Sequence, residues 1–433
     1  MSALVKKRNF LTTLIAAGGI FLVVLFACSN PNDLDAYIEN IMNKSHIPGL
    51  SACIVRNSDI IWSKGYGWAD IENQIPMTPD IVQNIGSVSK TVTATALMQL
   101  WEKDLFELDD DVNDFLPFKV LNPLYQEAKI TFRQLLTHRS SIKDGPAYDE
   151  SYASGDPQIS LGVWLREYFT PGGKYYDPEE NFHKWKPGET GEIPEKPRAY
   201  TNVGFGLLGY LVERISRVPF GEYTREHIFE PLGMNETSWY IRDIDAKKQA
   251  VPYVYVSEEA VNNKDIKSLN ETLGLYKKQM VKEGFLPLGL YSFPNIPDGL
   301  VRTSVHQLAR CLMMYIGEGN YKGTQILQKG TVDTILSDDH FGRGLCWYQA
   351  QIENVGSVWL HSGGDPGIRT VMMFNETNNI GVIVFTNGSE EGLGKIITRL
   401  YAEAAKVLRD ASCIVSGWTY RPYEQGKIRS ISN

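Results

Sequence analysis

Cysteine is scarce in this chain: Cys28, Cys53, Cys311, Cys346 and Cys413 are spread over 433 positions, with no CxxC pair among them. That spacing excludes a zinc or redox site of the CxxC kind and a small disulfide-stapled scaffold. Positive charge is also in deficit, with 43 Lys and Arg against 51 Asp and Glu and a net charge of −8. Such a balance gives no basic footprint for a polyanion, so nucleic acid is not an expected partner. Beyond residue 27 no apolar run is long enough to cross a bilayer. There is no HxHxDH zinc pattern, no GxSxG nucleophile elbow and no internal repeat. What is present is 43% hydrophobic and 11% aromatic residues, the profile of a folded protein. The length favours two subdomains with a cleft between them.

The start of the chain has its own pattern. Lys6, Lys7 and Arg8 precede an uncharged stretch from Phe10 to Ala27, and the chain turns polar from Ser29 to Asp33. A positive patch followed by a short apolar run reads as a secretory signal, with an uncleaved membrane anchor as the alternative. Leu25-Phe26-Ala27-Cys28 resembles a bacterial lipobox, in which the cysteine is acylated and becomes the new N-terminus. Residues 1–27 are therefore expected to be a lipoprotein signal peptide and Cys28 the lipidation site, with the protein exported and lipid-anchored to the bacterial cell envelope. Whether the other four cysteines pair there is not legible in the sequence.

Leu34, Tyr37, Ile38, Ile41 and Met42 form a helical stripe that Pro48-Gly49 ends. Leu50 to Val55 and Ile60 to Tyr66 flank the polar turn Arg56-Asn57-Ser58-Asp59 and predict an antiparallel hairpin. Three more strands are expected at Ser357–His361, Ile368–Phe374 and Ile380–Phe385, followed by an amphipathic helix from Leu393 to Leu408. The middle of the chain is periodic for helix, as at Thr91–Lys103 and Gly206–Ile215. The expected fold is α/β (α+β): an antiparallel sheet flanked by helices and built from both termini (residues 28–80 and 300–433), with a mainly helical subdomain inserted at 81–299. Residues 143–197 read as loop, rich in aromatics such as Tyr148, Tyr152, Trp164, Tyr168 and Phe169 that either wall a pocket or pack the loop onto the body. Lys264–Lys282 reads as a solvated helix.

Three short motifs carry chemistry. Ser87-Val88-Ser89-Lys90 is an SxxK, which puts hydroxyl and amine one helical turn apart on one face, so that the amine can help deprotonate the serine. Ser87 opens an apolar helix, where the dipole and free N–H groups favour developing negative charge. Left alone it would be a plain N-cap serine, and a second SxxK occurs at Ser140–Lys143, leading into the turn Asp144-Gly145-Pro146. Tyr200-Thr201-Asn202 is the only YxN in the chain. A tyrosine beside a lysine can act as general base and acid, and an asparagine amide can orient a substrate carbonyl. His361-Ser362-Gly363-Gly364 closes a strand, and its glycines let backbone approach a ligand, with an N–H able to join that of Ser87 in an oxyanion hole. A competing HxG, His340-Phe341-Gly342, lacks the second glycine.

In this order, SxxK, YxN and HxG resemble the serine β-lactamase and penicillin-binding-protein superfamily, in its class C-related branch. Asn84–Thr91, Leu108–Val112, Ile130–His138, Pro231–Thr237 and His361–Gly364 carry the likeness, which spans about residues 33–409. The resemblance implies an acyl-enzyme mechanism: Ser87 as nucleophile, Lys90 and Tyr200 assisting, the N–H groups of Ser87 and Gly364 facing the oxyanion, Asn202 orienting the substrate. No metal or cofactor is implied. Many esterases and D-amino-acid peptidases of this branch have histidine where β-lactamases have lysine, and His361 lacks the fixed charge that would hold a substrate carboxylate. An ester, a small amide or a peptidoglycan-derived peptide is thus the expected substrate. A β-lactamase or DD-carboxypeptidase is the alternative, and a non-catalytic wall-fragment binding protein the second.

Overall fold

Asn57 and Ser58 are polar and turn-forming, and Asn57 takes the left-handed conformation (φ 53°) that tight hairpins need. They join β1 (Gly49–Arg56) to β2 (Asp59–Asp70), with Cys53 opposite Ser63. The structure is a computed structural model and describes residues 31–189, 199–256, 284–337, 342–353, 355–389 and 391–416. With β3 (Ile75–Pro76), β4 (Tyr348–Ile352), β5 (Gly356–Asp365), β6 (Ile368–Asn375) and β7 (Ile380–Thr386), the hairpin forms one seven-stranded sheet. Its order is β4-β5-β6-β7-β1-β2-β3, so the two ends of the chain meet where β7 pairs antiparallel with β1, Leu50 opposite Thr386.

β1 and β7 are central and buried on both faces, which explains their near-continuous apolar sequences. On the outer face, α1 (Pro31–Lys44) and α6 (Leu393–Ser416) cover the sheet: Ile38, Ile41, Ile396, Ile397 and Leu400 pack on Leu50, Ala52, Ile54, Val382 and Val384. Each such fully buried side chain contributes about 1.5–3 kcal/mol. Cys53, Val55, Ile383 and Phe385 point the other way, into the main core with Leu308 and Leu312 of α5 (Val305–Ile316). α2 (Ser89–Trp101) is buried from Ser89 to Leu100, with Val92, Ala94, Ala96, Leu97 and Leu100 in the main core and the threonines satisfied by hydrogen bonds, as at Thr91 and Thr93. It packs against α4 (Asn202–Ser216).

Two expectations change. The β5 strand does not stop at His361 but runs on through Ser362, Gly363 and Gly364 to Asp365, because Ile368–Val371 of β6 continues the ladder beside it. Edge strand β4, Tyr-Gln-Ala-Gln-Ile, was not singled out in the sequence although it alternates apolar and polar residues, and Tyr348, Ala350 and Ile352 pack on the outer face of the sheet. The 143–197 stretch is not all loop: α3 (Leu161–Phe169) folds within it and buries Trp164, Tyr168 and Phe169 at 0–1% exposure. Those aromatics are core. Tyr148 belongs to the same core and Tyr152 packs against it, the two rings lying against Phe293 at centroid distances of 5.7 and 4.6 Å. Lys264–Lys282, His340, Phe341 and Cys28 lie outside the described residues. Cys53 and Cys311 are buried and form no disulfide, and Cys346 is buried as well.

Candidate active site

Gly86 sits at φ +51°, a backbone conformation that side chains disfavour, and directs Ser87 to the head of α2 through a short 3-10 turn. Asn84 holds that turn by accepting from the Gly86 N–H at 2.8 Å. The turn abuts β5 directly: a Cβ added to Gly363 would lie 2.1 Å from the Ile85 carbonyl oxygen and 3.0 Å from the Ser87 nitrogen. One added to Gly86 would lie 2.9 Å from the Gly364 nitrogen. Bare backbone on both sides is what allows the two amides to approach one another.

Lys90 is buried at 0% exposure, one turn along α2. Its Nζ donates to Ser87 Oγ at 3.0 Å, Asn202 Oδ1 at 2.8 Å and the Asp298 carbonyl at 2.7 Å, an acceptor for each proton of an ammonium group. Tyr200 is 43% exposed as a residue, yet its ring lies 5.0 Å from Lys90 Nζ, and its hydroxyl end is near enough to Lys90 and Ser87 for both to favour its ionised form. Burial pushes the Tyr200 phenol above its ordinary pKa, and the neighbouring Lys90 only partly pulls it back. For Lys90, burial works to lower the amine, but Tyr200, Asp298 and Asp144 outweigh it and hold the amine above its ordinary value. At neutral pH the pair therefore rests as ammonium and neutral phenol.

Tyr200 and Asn202 owe their place to residues outside the motifs. Thr201 caps α4 by accepting from the Gly204 N–H, and the Asp144 carboxylate accepts from the Asn202 and Val203 N–H groups at 2.8–2.9 Å. A carboxylate at a helix N-terminus is favourable. His138 accepts from the Thr201 N–H at 3.2 Å, its ring 4.3 Å from that of Tyr200. In α4, Gly206 and Gly209 make room for Asn295 and Pro297, where a Cβ would collide at 1.6 and 2.2 Å. His361 is 3% exposed, with Nδ1 on the Ser362 carbonyl at 2.8 Å and the Tyr348 ring edge-on at 5.8 Å.

Lys90 thus joins Ser87 and Asn202, with the Tyr200 ring beside it, and Gly363 and Gly364 lie against the Ser87 turn. The second SxxK is not assembled this way: Ser140 is buried, and Lys143 pairs with Glu180 at 2.5 Å. Another serine does have a base. Ser63 Oγ lies 2.8 Å from His306 Nε2, and His306 Nδ1 lies 2.7 Å from Asp80. Asp80, however, is 72% exposed, where water competes for the histidine and screens the pair. A cavity of about 630 Å³ opens beside it, lined by Asp80, Glu236, His306 and Arg310, and none of the three motifs lines that cavity. The dry amine at Ser87, not that cavity, marks the chemistry. Sequence reading assigned no role to Asn84 and His138, although both lie in segments that carry the family likeness, and it missed Asp144, Asn295 and Asp298, whose only local signal was a turn or cap.

The fold and this cluster together define a class: α/β proteins that present a serine and a lysine at the head of a central helix, facing the inner strand of an antiparallel sheet. The chain belongs to the Beta-lactamase family, whose model matches residues 34–406. It is 25% identical over 369 residues to "Protein flp" of Staphylococcus aureus (strain MRSA252), covering 85% of this chain and 65% of that one, so it spans about two thirds of that relative's length. It is 29% identical over 208 residues to the "Putative penicillin-binding protein PbpX" of Bacillus subtilis (strain 168), 48% of this chain and 45% of that one. Among solved structures, the octameric penicillin-binding protein homologue from Pyrococcus abyssi superposes with a TM-score of 0.65 at 25% identity, over 87% of this chain and 78% of that one. D-amino acid amidase from Ochrobactrum anthropi SV3 shares the fold with a TM-score of 0.66 at 19% identity, over 87% and 99% of the two chains. Members of this superfamily include serine hydrolases.

Proposed function

We propose that the protein is a serine hydrolase that acts on esters or small amides, including D-amino-acid peptides, through an acyl-enzyme. The observation that carries this reading is the buried Lys90 ammonium shared by Ser87, Asn202 and the Asp298 carbonyl, with the Tyr200 hydroxyl alongside. Ser87 Oγ bonds to the substrate carbonyl carbon, and its proton passes to the Tyr200–Lys90 pair, which must first have lost one proton of its own. The N–H groups of Ser87 and Gly364 face the developing oxyanion. The pair returns the proton to the leaving group, and water then hydrolyses the Ser87 ester. Asn202 orients the substrate.

His361, in place of a lysine, favours substrates without a carboxylate to be held at that end of β5. Side-by-side turnover of p-nitrophenyl esters, D-aminoacyl anilides and a chromogenic cephalosporin by purified protein tests this. Esters or anilides are expected to lead, and efficient cephalosporin turnover with the others silent would establish the β-lactamase alternative instead. Stable acylation of Ser87 without turnover of any of them would indicate a binding protein.

Gly363→Ala is expected to lower kcat/KM about 100-fold, the effect of displacing a reacting group by about 1 Å. The added methyl meets main chain at Ile85, which cannot rotate away. A melting temperature close to wild type alongside the loss would locate the effect in the contact between strand and turn, whereas full activity would show that contact to be dispensable.

We also propose export and lipid anchoring at Cys28, on the strength of Leu25–Cys28 after the apolar run. Growth with labelled palmitate should tag the wild type and not Cys28→Ala; equal tagging of both would exclude this site.

A further inference from the structure

Asp298 belongs to none of the three motifs, and Pro297-Asp298-Gly299 reads in the sequence as nothing more than a turn. It ends the short 3-10 turn Ile296–Asp298 and is 1% exposed. The main-chain carbonyl of Asp298 takes one Lys90 proton at 2.7 Å. Its carboxylate accepts from Asn295 Nδ2 at 2.5 Å, and the Tyr148 hydroxyl lies near enough to favour its ionised form. That same Asn295 amide donates to the Asn202 carbonyl at 2.9 Å. One buried acid is thus tied to Lys90 through its own main chain, and to the start of α4 through one asparagine.

A charge buried this deeply is costly unless it is paired and hydrogen-bonded. The groups that face it are Lys90 from α2, Tyr148, and Asp365 at the end of β5; Tyr152 and Tyr200 also feel its charge, and Asp144 acts on Lys90 from the head of α4. Among these six only Lys90 is a cation.

We propose that Asp298 is a positioning residue for the Ser87 chemistry: its carboxylate fixes the Asn295 link to Asn202, and its negative charge keeps Lys90 protonated in the resting protein. The mechanistic half rests on the hydrolase reading above, but the charge of Lys90 can be measured without turnover. A nearby anion raises the pKa of an amine, so removing it lets burial pull Lys90 down. The carboxyl itself is pushed up to about 7, by burial first and by Asp365 as well, against the opposing pull of Lys90, Asn295 and Tyr148. Its hold on Lys90 is therefore complete above pH 7 and fades below it.

The test is a pH titration by NMR of protein labelled with 13C at the lysine ε carbon, with the Lys90 signal assigned by its loss in Lys90→Arg. In Asp298→Asn the Lys90 midpoint should fall by about one pH unit or more, and the acid limb of kcat/KM should move to lower pH in step. Asp298→Ser, smaller and also uncharged, should do the same. Should neither variant fold, the wild-type Lys90 signal decides: an inflection near pH 7, ahead of the amine's own titration, is expected. A Lys90 midpoint unmoved by both substitutions, or a wild-type signal with no such inflection, overturns the proposal. Failure of wild-type Ser87 to acylate would overturn the hydrolase reading alone.

Stability supplies an independent arm. A carboxyl whose folded pKa lies above its unfolded one stabilises the fold at low pH, and that contribution is lost as pH rises from about 4 to about 7. Asp298→Asn should therefore melt higher relative to wild type at pH 8.5 than at pH 5, whereas an equal offset at both would mean that the carboxyl has the same pKa in the folded and the unfolded chain, and would overturn its raised value.

Discussion

Ser87→Ala is expected to leave a folded protein that a fluorophosphonate no longer labels, with kcat reduced by as much as about 10⁶, as when the nucleophile is removed from a serine hydrolase whose groups act as a unit. Folding should survive because the Ser87 hydroxyl makes one hydrogen bond to Lys90 in addition to its contact with Tyr200, and Lys90 keeps Asn202 and the Asp298 carbonyl. Loss of a single such bond costs about 1 kcal/mol. Ser63→Ala is the matched control, since Ser63 carries the other serine–histidine contact. Labelling that persists in Ser87→Ala and disappears in Ser63→Ala would move the nucleophile to the edge of β2 and sink the mechanism.

Replacing Lys90 should be nearly as damaging, for a different reason. Lys90→Met fills the volume but withdraws all three protons, leaving Ser87 Oγ, Asn202 Oδ1 and the Asp298 carbonyl without their donor. Loss of positioned acid–base catalysis lowers rates by about 10²–10⁴, and kcat should carry most of the fall. Lys90→Arg is not expected to rescue activity, because a planar guanidinium cannot reproduce three tetrahedrally directed bonds in a site with 0% exposure. The Ser87→Ala/Lys90→Met double variant should be no slower than Ser87→Ala alone. If the two losses multiplied instead, Lys90 would be acting on something other than Ser87. Activity restored by arginine would mean that charge alone suffices.

Much of this protein was legible residue by residue, where a local pattern had a local cause. The Asn57-Ser58 turn fixed a hairpin because the conformation it demands is set within two residues. The apolar stripes of Leu34–Met42 and Leu393–Leu408 each needed one buried face, and Ile38, Ile41, Leu393, Ile396, Leu400 and Ala404 found it on the outer side of the sheet. SxxK, YxN and HxG could be singled out because each places reactive groups at fixed short spacing. The reading failed where the cause was distant. Trp164, Tyr168 and Phe169 looked like loop aromatics because α3 is short and owes its place to the core it enters. Strand β5 looked five residues long because the glycines that prolong it have no β propensity; the neighbouring β6 ladder supplies the missing reason.

The sequence alone determined the chemistry on offer: a serine and a lysine one helical turn apart, a tyrosine and an asparagine two residues apart, and two glycines in a row. Covalent spacing and helix geometry guarantee those relations wherever the segments lie. Only the tertiary structure decided which SxxK was assembled, since Lys90 and Lys143 differ in what the rest of the chain brings to them. Lys90 meets Asn202 from 112 residues away and the Asp298 carbonyl from 208 away, whereas Lys143 meets Glu180 near the surface. Burial decided the charge states too. The acids that hold Lys90 protonated, and the dry surroundings that make their charges count, come from segments with no local mark of function, because electrostatic energy depends on distance and solvent exclusion rather than on position in the chain.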